Sequence, residues 1–354
     1  MSLPPSEIPQ GAIRFNTVSQ KLEFYAQGEW WVMSTDTPNL GRGVDSTPGA
    51  RGVFMGGYTN TPTPSSFDTI DYINIASTGD AQDFADLSSI MSYGRKASSS
   101  TRGIIAGSLT SPGSPGVYSS NANIYYITIS STGTVTDFGG DLSNSRGGSN
   151  DSGVSNSTRG IFAGGLTTGP TTFYSTIDYV TIASTGDAKD FGDTLSTTRA
   201  HMGGCSSPTR GLFMGGYNPT QVNTIDYVTI ATLGSVQDFG DLSQTTFRNC
   251  AFSSPVRGIS AGGSGKTVME YVTIATTGNA TKFGDLSANR QFTGGTSSST
   301  RGIVAGGDSG PYAGLNIIEY VNIQTEGDAI DFGDLTAGNA RSGIAAVSNA
   351  HGGL

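Results

Sequence analysis

The chain has 354 residues, 52 of them glycine, about twice the usual share. Charged residues make up only 13% and the formal net charge is −9, so the clustered Lys and Arg that a nucleic-acid backbone requires are missing. No apolar run approaches the roughly 20 residues that span a bilayer, so neither nucleic acid nor membrane insertion is expected.

In chain order, the opening MSLPPSEIPQ has neither a basic n-region nor an apolar core, so no secretory leader is expected. Next, GAIRFNTVSQKLEFYAQGEWWVMS reads as three short strands separated by SQ and QG turns. From Arg42 onward a four-part unit recurs. Its first part is led by arginine, as in RAHMGGCSS from Arg199 and RQFTGGTSS from Arg290. Seven arginines head such stretches: Arg42, Arg95, Arg146, Arg199, Arg248, Arg290 and Arg341. The second part is an Arg-Gly pair and an apolar run ending in Gly-Gly (RGVFMGG, RGIFAGG, RGLFMGG, RGIVAGG). The third is IDYVTIAS, with tyrosines at Tyr72, Tyr126, Tyr179, Tyr227, Tyr271 and Tyr320, spaced 54, 53, 48, 44 and 49 residues apart. A Thr-Gly-Asp type turn then leads to DFGDLS, with Phe84, Phe138, Phe191, Phe239, Phe283 and Phe332. Four short strands and glycine turns in about 50 residues describe one propeller blade, and no part has the 3.6-residue period of a helical repeat.

These residues resemble the kelch repeat: Arg at the head of the first strand, Gly-Gly ending the second, Tyr in the third. The resemblance covers nearly the whole chain and implies an all-β, kelch-like β-propeller. The pattern departs from kelch where Phe stands in place of the usual fourth-strand Trp; an aromatic ring still fills the space between sheets. The last arginine-led stretch, RSGIAAVSN from Arg341, has only AHGGL after it. The reading therefore favours seven blades, the last completed jointly by the N-terminal strands and the C-terminal strand. Leu22-Glu23-Phe24 would stand for Ile-Asp-Tyr, and Trp30 or Trp31 for the kelch Trp. The alternative is six blades plus a separate N-terminal attachment module. The expected organisation is an N-terminal segment over 1–41, six repeats over 42–340 and a closing strand and tail over 341–354.

A second resemblance lies in GAIRFNT, QKLEFY and EWW, which look like short modules of bacteriophage tail-fibre and other virion proteins. The STRGxFxGG and IDYVTIASTGDAxDFGDLS arrays, and the ending SNAHGGL, resemble predicted structural proteins of cyanobacterial and marine phages. The resemblance implies a virion structural protein. The first expectation is a tail fibre or tail-associated propeller that recognises the host surface. The alternative is a head-decoration, collar or baseplate protein docking on other virion proteins. Either would be made in the bacterial cytoplasm and assembled into the virion, with a host glycan or protein as a further partner. Oligomeric state is left open, since no long heptad segment imposes one.

Chemistry finds little support. His201 and His351 lie outside any ligand-spaced motif, and nothing resembles the two-His, two-Tyr copper centre of kelch-like oxidases. No GxSxG elbow is present. Lys266 follows a glycine run without P-loop spacing. The DFG triplets recur without the other kinase elements; their aspartates (Asp83, Asp137, Asp190, Asp238, Asp331) read as structural, pairing with arginine or accepting backbone N–H groups. Cys205 and Cys250 read as small buried residues. No cofactor, metal or catalytic residue is expected, and the protein is read as a non-enzyme.

The six arginines before the second strand, Arg51, Arg102, Arg159, Arg210, Arg257 and Arg301, are expected to form ion pairs across blades, each fork satisfying an Asp carboxylate and nearby carbonyls together. More informative is where the copies differ. From the second Gly-Gly position to the Ile or Met before the third-strand motif, the separations are 13, 16, 12, 9, 6 and 11 residues, whereas the third-to-fourth turn keeps nearly one length. In an up-and-down blade these variable loops share one face with the blade-to-blade connections, and loops on a rigid scaffold are where recognition resides. Tyr58, Phe67, Tyr118, Phe173, Tyr174, Tyr217 and Tyr312 populate that face and are the candidate receptor-binding residues.

Overall fold

The computed structural model describes residues 9, 11–16, 21–32, 49–59, 65–110, 119–148, 151–310, 313–336 and 338–354. The chain divides into two compact units, Met1–Gly49 and Ala50–Leu354. The first holds a three-stranded antiparallel sheet of Ile13–Asn16, Lys21–Ala26 and Glu29–Val32, in that order. The second holds six four-stranded antiparallel sheets, each a meander that follows the four-part repeat.

The innermost strands are Ala345–Ser348, Arg95–Ser98, Gly153–Ser155, Gly203–Ser206, Cys250–Ser253 and Gly294–Ser297, taken as sheets one to six. The Arg-Gly strands come second: Arg51–Thr59, Arg102–Ala106, Arg159–Thr167, Arg210–Met214, Arg257–Ala261 and Arg301–Ala305. The tyrosine strands come third: Ser65–Asn74, Asn123–Thr128, Thr172–Thr181, Val222–Thr229, Lys266–Thr273 and Ile317–Asn322. The phenylalanine strands are outermost: Gln82–Asp86, Thr136–Asp141, Lys189–Thr194, Gln237–Thr246, Thr281–Arg290 and Ile330–Asp334. A small extra hairpin pairs Leu109–Thr110 with Ser119–Ser120 beyond sheet two. Each innermost strand packs on its two neighbours, and Gly294–Ser297 packs on Ala345–Ser348, so the six close into a ring. This is a propeller-like all-β fold.

The sequence explains why these strands are sandwiched. The second strands are apolar at successive positions and buried on both faces, as expected of a strand between two neighbouring sheets. The core lies between sheets: Val53, Ile70 and Phe84 of sheet one meet Ile105, Ile127 and Ile129 of sheet two in a single cluster. The fourth-strand phenylalanine is buried in every sheet and meets the third-strand tyrosine edge-on, as Tyr72 does Phe84 at 6.0 Å and 77°.

The expected seventh blade is not formed from the two chain ends. Ala345–Ser348 is the innermost strand of sheet one, in register with the Arg51 strand (Ala345 opposite Met55, Val347 opposite Val53). The reason is the pattern: Ala345, Ala346 and Val347 are all buried, which suits an inner strand beside Val53 and Phe54. Among the described residues the N-terminal strands pair with each other and with no strand of a four-stranded sheet. Arg42 lies outside the described residues. Two other arginines are out of register with the repeat. Met91 and Thr246 hold the positions at the heads of sheets two and five, so Arg95 lies inside its innermost strand and Arg248 two residues beyond the head.

Two backbone devices recur between neighbouring sheets. At the rim, the glycine of each third-to-fourth turn donates to the phenylalanine carbonyl of the preceding outer strand: Gly79 to Phe332, Gly186 to Phe138, Gly234 to Phe191, Gly278 to Phe239 and Gly327 to Phe283, at 2.7 to 2.9 Å. The next residue often adds a side-chain clip, as Asp80 Oδ1 accepts from Asp334 N at 3.0 Å. Among the described residues the sixth junction, Gly133 against Phe84, has no such bond. Thr134 there replaces the clipping Asp, and Ala85 replaces the glycine that follows Phe elsewhere.

Candidate functional site

The second device builds the variable face. The N–H of the second glycine of each pair donates to the carbonyl at the head of the next sheet: Gly57 to Met91, Gly165 to Arg199, Gly216 to Thr246, Gly263 to Arg290 and Gly307 to Arg341, at 2.8 to 2.9 Å. The first glycine lies against the same carbonyl, so that a Cβ on Gly56 (φ +61) would stand 2.2 Å from Met91 O. Glycine is needed for both the left-handed backbone and the close approach. The residue after the pair then bridges to the strand entry, as Tyr58 with Ser342, Leu109 with Ser92, Leu166 with Gly147, Tyr217 with Ala200 and Asp308 with Gln291. Variable loops and sheet-to-sheet connections therefore share one face, as the strand order requires.

The mouth of the ring on that face is filled. Backbone N–H groups run from Arg248 to His201 O, Phe292 to Arg248 O, Gly343 to Phe292 O and Tyr93 to Gly343 O, each 2.8 Å. From this belt the Arg248 guanidinium sits 4.4 Å from the ring centroids of both Phe247 and Phe292. Tyr217 continues the stack on Phe247 at 5.1 Å and 30°, and Phe173 follows at 5.9 Å. His201 meets Phe292 edge-on at 5.5 Å; burial, with Arg248 and Arg95 acting in the same direction, pushes it down to about 3. Among the expected receptor residues, the structure brings Phe173 and Tyr217 together, both half-buried. Tyr58 is a correction: at 3% exposed it packs with Tyr93, Leu109 and Phe292 as core, because its position after the glycine pair points it at the belt. Phe67 is half-buried, 6.0 Å from the Arg341 guanidinium, and Tyr174 is half-buried in its hairpin. Tyr118 and Tyr312 lie outside the described residues. Sequence reasoning missed Phe247, Arg248, Phe292 and Tyr93. Their shared position, two residues after the head or next to it, was the available signal.

The six recurring arginines correct a second expectation. Each does reach the neighbouring sheet, but to a carbonyl: Arg51 to Ile129 O at 2.9 Å, Arg102 to Ile182 O at 2.9 Å, Arg159 to Ile230 O at 2.6 Å, Arg210 to Ile274 O at 3.0 Å, Arg257 to Ile323 O at 3.2 Å, Arg301 to Ile75 O at 3.1 Å. Each also lies 4.4 to 4.7 Å over its own sheet's tyrosine. The ion pairs belong to the heading arginines instead: Arg146 with Asp178 (3.0 Å), Arg199 with Asp226 (3.0 Å), Arg341 with Asp71 (2.9 Å), and Arg290 with Glu319. The acid is that of the IDY motif and also holds the incoming connection, as Asp226 Oδ2 accepts from Ser196 N and Oγ at 3.1 and 2.8 Å. The DFG aspartates stay at the exposed rim, where Asp137 and Asp190 accept from the glycine N–H two residues on.

The axis is occupied by the protein's own groups. Lys96 Nζ meets Asp151 Oδ1 at 2.6 Å and also donates to Ala251 O and Gly295 O, tying sheet two to sheets five and six. Burial raises the Asp151 carboxyl above the ordinary range, while Lys96 and the amides of Ala251 and Gly295 pull it back. Below lies a ring of serines: Ser98 Oγ donates to Ser348 O, Ser155 to Ser98, Ser206 to Ser155, Ser253 to Ser206 and Ser297 to Ser253, at 2.7 to 2.9 Å. Residues 350–354 turn across this ring. Gly353 N donates to His351 Nδ1 at 3.0 Å, so Nε2 carries the proton and donates to Ser98 O at 3.0 Å. Desolvation pushes His351 down to about 4, Lys96 adding to it and the Ser98 bond opposing. A cavity of about 30 Å³, lined by Lys96, the ring serines and His351, remains where the 350–354 turn plugs the ring. Cys205 and Cys250 are buried, which pushes both thiols up to about 12.

No family model matches the chain, and no curated relative is found. In fold, 386 solved chains match, so the architecture by itself selects no activity. One is the structure of YjhT, with a TM-score of 0.60 and 10% identity over 73% of this chain and 89% of that one. At that identity the likeness shows the fold alone, and it agrees with the propeller-like ring.

Proposed function

We propose that the protein is a six-bladed, kelch-like propeller of a bacteriophage virion, tail-associated and non-catalytic, that binds the host surface through its variable-loop face. The observation that carries this reading is the confinement of variation to one face. The sheet-one and sheet-three hairpins run well past the glycine pair, to Thr59 and Thr167, while sheet five turns back at once between Ala261 and Lys266. The opposite ends are fixed by the rim clips and serine ring. Conserving a scaffold while varying loops on one side suits recognition. The phage context rests on the repeat and N-terminal resemblances.

A second reading, docking on other virion proteins as a decoration, collar or baseplate component, is favoured by the filled mouth. The Tyr217–Phe247–Arg248–Phe292 stack spends its ring faces on itself and suits a broad protein contact better than a small ligand. Immunogold microscopy of intact virions with antibody to the purified chain separates the two. Distal-tail label, with loss of adsorption when the loop around Phe173 or Tyr217 is exchanged, supports host binding. Label on head or collar supports docking, and unlabelled virions with accessible epitopes would remove the phage assignment itself.

A further inference from the structure

One buried acid of the repeat lacks its arginine. In sheet six Arg290 pairs with Glu319 Oε2 and donates to Gly306 O at 3.3 Å and Ile317 O at 3.2 Å, while Glu319 Oε1 accepts from Ser287 N at 3.1 Å. Sheets one, three and four hold the same pair with Asp as the acid. Sheet two drops both partners, with Met91 in the place of the arginine and Tyr125 in that of the acid. Sheet five drops only one: Thr246 takes the place of the arginine and Glu270 is kept. Glu270 is 6% exposed, and its Oε1 accepts from Ser243 N at 3.0 Å as Glu319 does from Ser287. Among the described residues no hydrogen bond or ion pair reaches its Oε2. A carboxylate this deeply buried is costly unless its charge is met.

Beside Glu270 lies a cavity of about 10 Å³, the room that one water-sized occupant takes. Its lining includes Gly262 and Val268, the counterparts of the Gly306 and Ile317 whose carbonyls hold Arg290. The cavity therefore stands where the guanidinium stands in sheet six. Thr246 and Ser260 add hydroxyls and Gln244 an amide. Lys266 also lines it, but its Nζ donates to Thr245 O at 2.8 Å, and among the described residues it makes no ion pair with Glu270. We propose that this cavity is a monovalent-cation site, in which Na+ or K+ on Glu270 Oε2 does for sheet five what a guanidinium does for four other sheets. Oxygen donors suit a hard cation. A single carboxylate gives a low charge count, where calcium sites gather several. The volume admits neither a guanidinium nor a larger organic cation. The inference is independent of what the variable face binds.

Thermal melts of the full chain at constant ionic strength test this, with NaCl or KCl replacing N-methylglucamine chloride, whose cation is too large for the cavity. The wild type is expected to melt about 2–4 °C higher once the small cation stands roughly tenfold above its dissociation constant. Glu270→Gln keeps an acceptor for Ser243 N and is expected to lose the response. Thr246→Arg restores the arginine of the repeat and is expected to lose it as well. Lys266→Met removes a nearby positive charge and responds at lower salt. If one of the first two variants does not fold, the other decides. A wild type that melts alike in all three salts overturns the proposal, and so does a folded Glu270→Gln chain that responds as the wild type does.

Discussion

Asp226 and Arg210 both stand at recurring positions of the sequence but carry different loads. Asp226 is wholly buried and holds both Arg199 and the Ser196 turn, so removing it leaves an uncompensated guanidinium in the core. Breaking such a pair costs about 3–5 kcal/mol. Asp226→Ala is therefore expected to lower the urea midpoint sharply, whereas Arg210→Ala, losing a half-buried stack on Tyr227 and bonds to carbonyls, costs about 1–2 kcal/mol. Equal losses would show that the two arginine sets had been ranked wrongly. The pairing was legible in part. Acid accompanies arginine at Arg146 and Asp178, Arg199 and Asp226, Arg290 and Glu319, and Arg341 and Asp71, while Tyr125 takes the acid's place where Met91 replaces arginine. What spacing could not give is side-chain direction, so the more regular Arg-Gly arginines drew the ion pairs in the reading.

His351 adds a pH dependence at the same scale. Its pKa is pushed from 6.5 to about 4, so the unfolded chain binds the extra proton and stability falls as pH drops from about 6.5 to about 4, then levels for this group. His351→Asn keeps an acceptor for Gly353 N and removes the titration. Thermal melts at pH 7 and pH 4.5 are expected to show a smaller acid loss in the variant than in the wild type. An identical loss would place the acid sensitivity elsewhere, with His201 the next residue to change.

At the scale of the strand, the rim clips explain why the outer motif is Phe-Gly and the turn Thr-Gly-Asp. A Cβ on Gly284 would stand 2.1 Å from Gly327 O, so Gly284→Ala forces the clip open and is expected to cost about 1–3 kcal/mol. Ala85 already occupies the equivalent place at the junction that lacks a clip, where Val135 packs on the cluster containing Phe84 instead. Amide hydrogen exchange is accordingly expected to be faster at Gly133 than at Gly186, Gly278 or Gly327. Equal protection would mean that packing alone sets rim stability. Strand order and turn type were readable from the repeat, because period and glycine placement are local. The mouth stack was not, since Tyr93, Phe247, Arg248 and Phe292 enter from three different sheets and meet only once the ring is assembled.

Across the whole molecule, six copies of the tyrosine and phenylalanine motifs were legible, but the number of blades and the place of the ends were not. RSGIAAVS and the N-terminal strands are both strand-like, and only three-dimensional pairing decides that the former completes sheet one. Removing residues 345–354 takes away that inner strand with the His351 plug. The shortened chain is expected to lose the single cooperative melt of the intact ring, and retention of it would argue that five complete sheets suffice. The pairing also has a meaning in time. Arg51 N bonds Asn349 Oδ1 across 298 residues of chain, so during synthesis the Arg51 strand waits with one edge bare until the Ala345–Ser348 strand has been made. For that interval a strongly apolar edge is available to any other nascent copy, and domain-swapped chains joined through that edge are the misassembly to which this ring is most exposed.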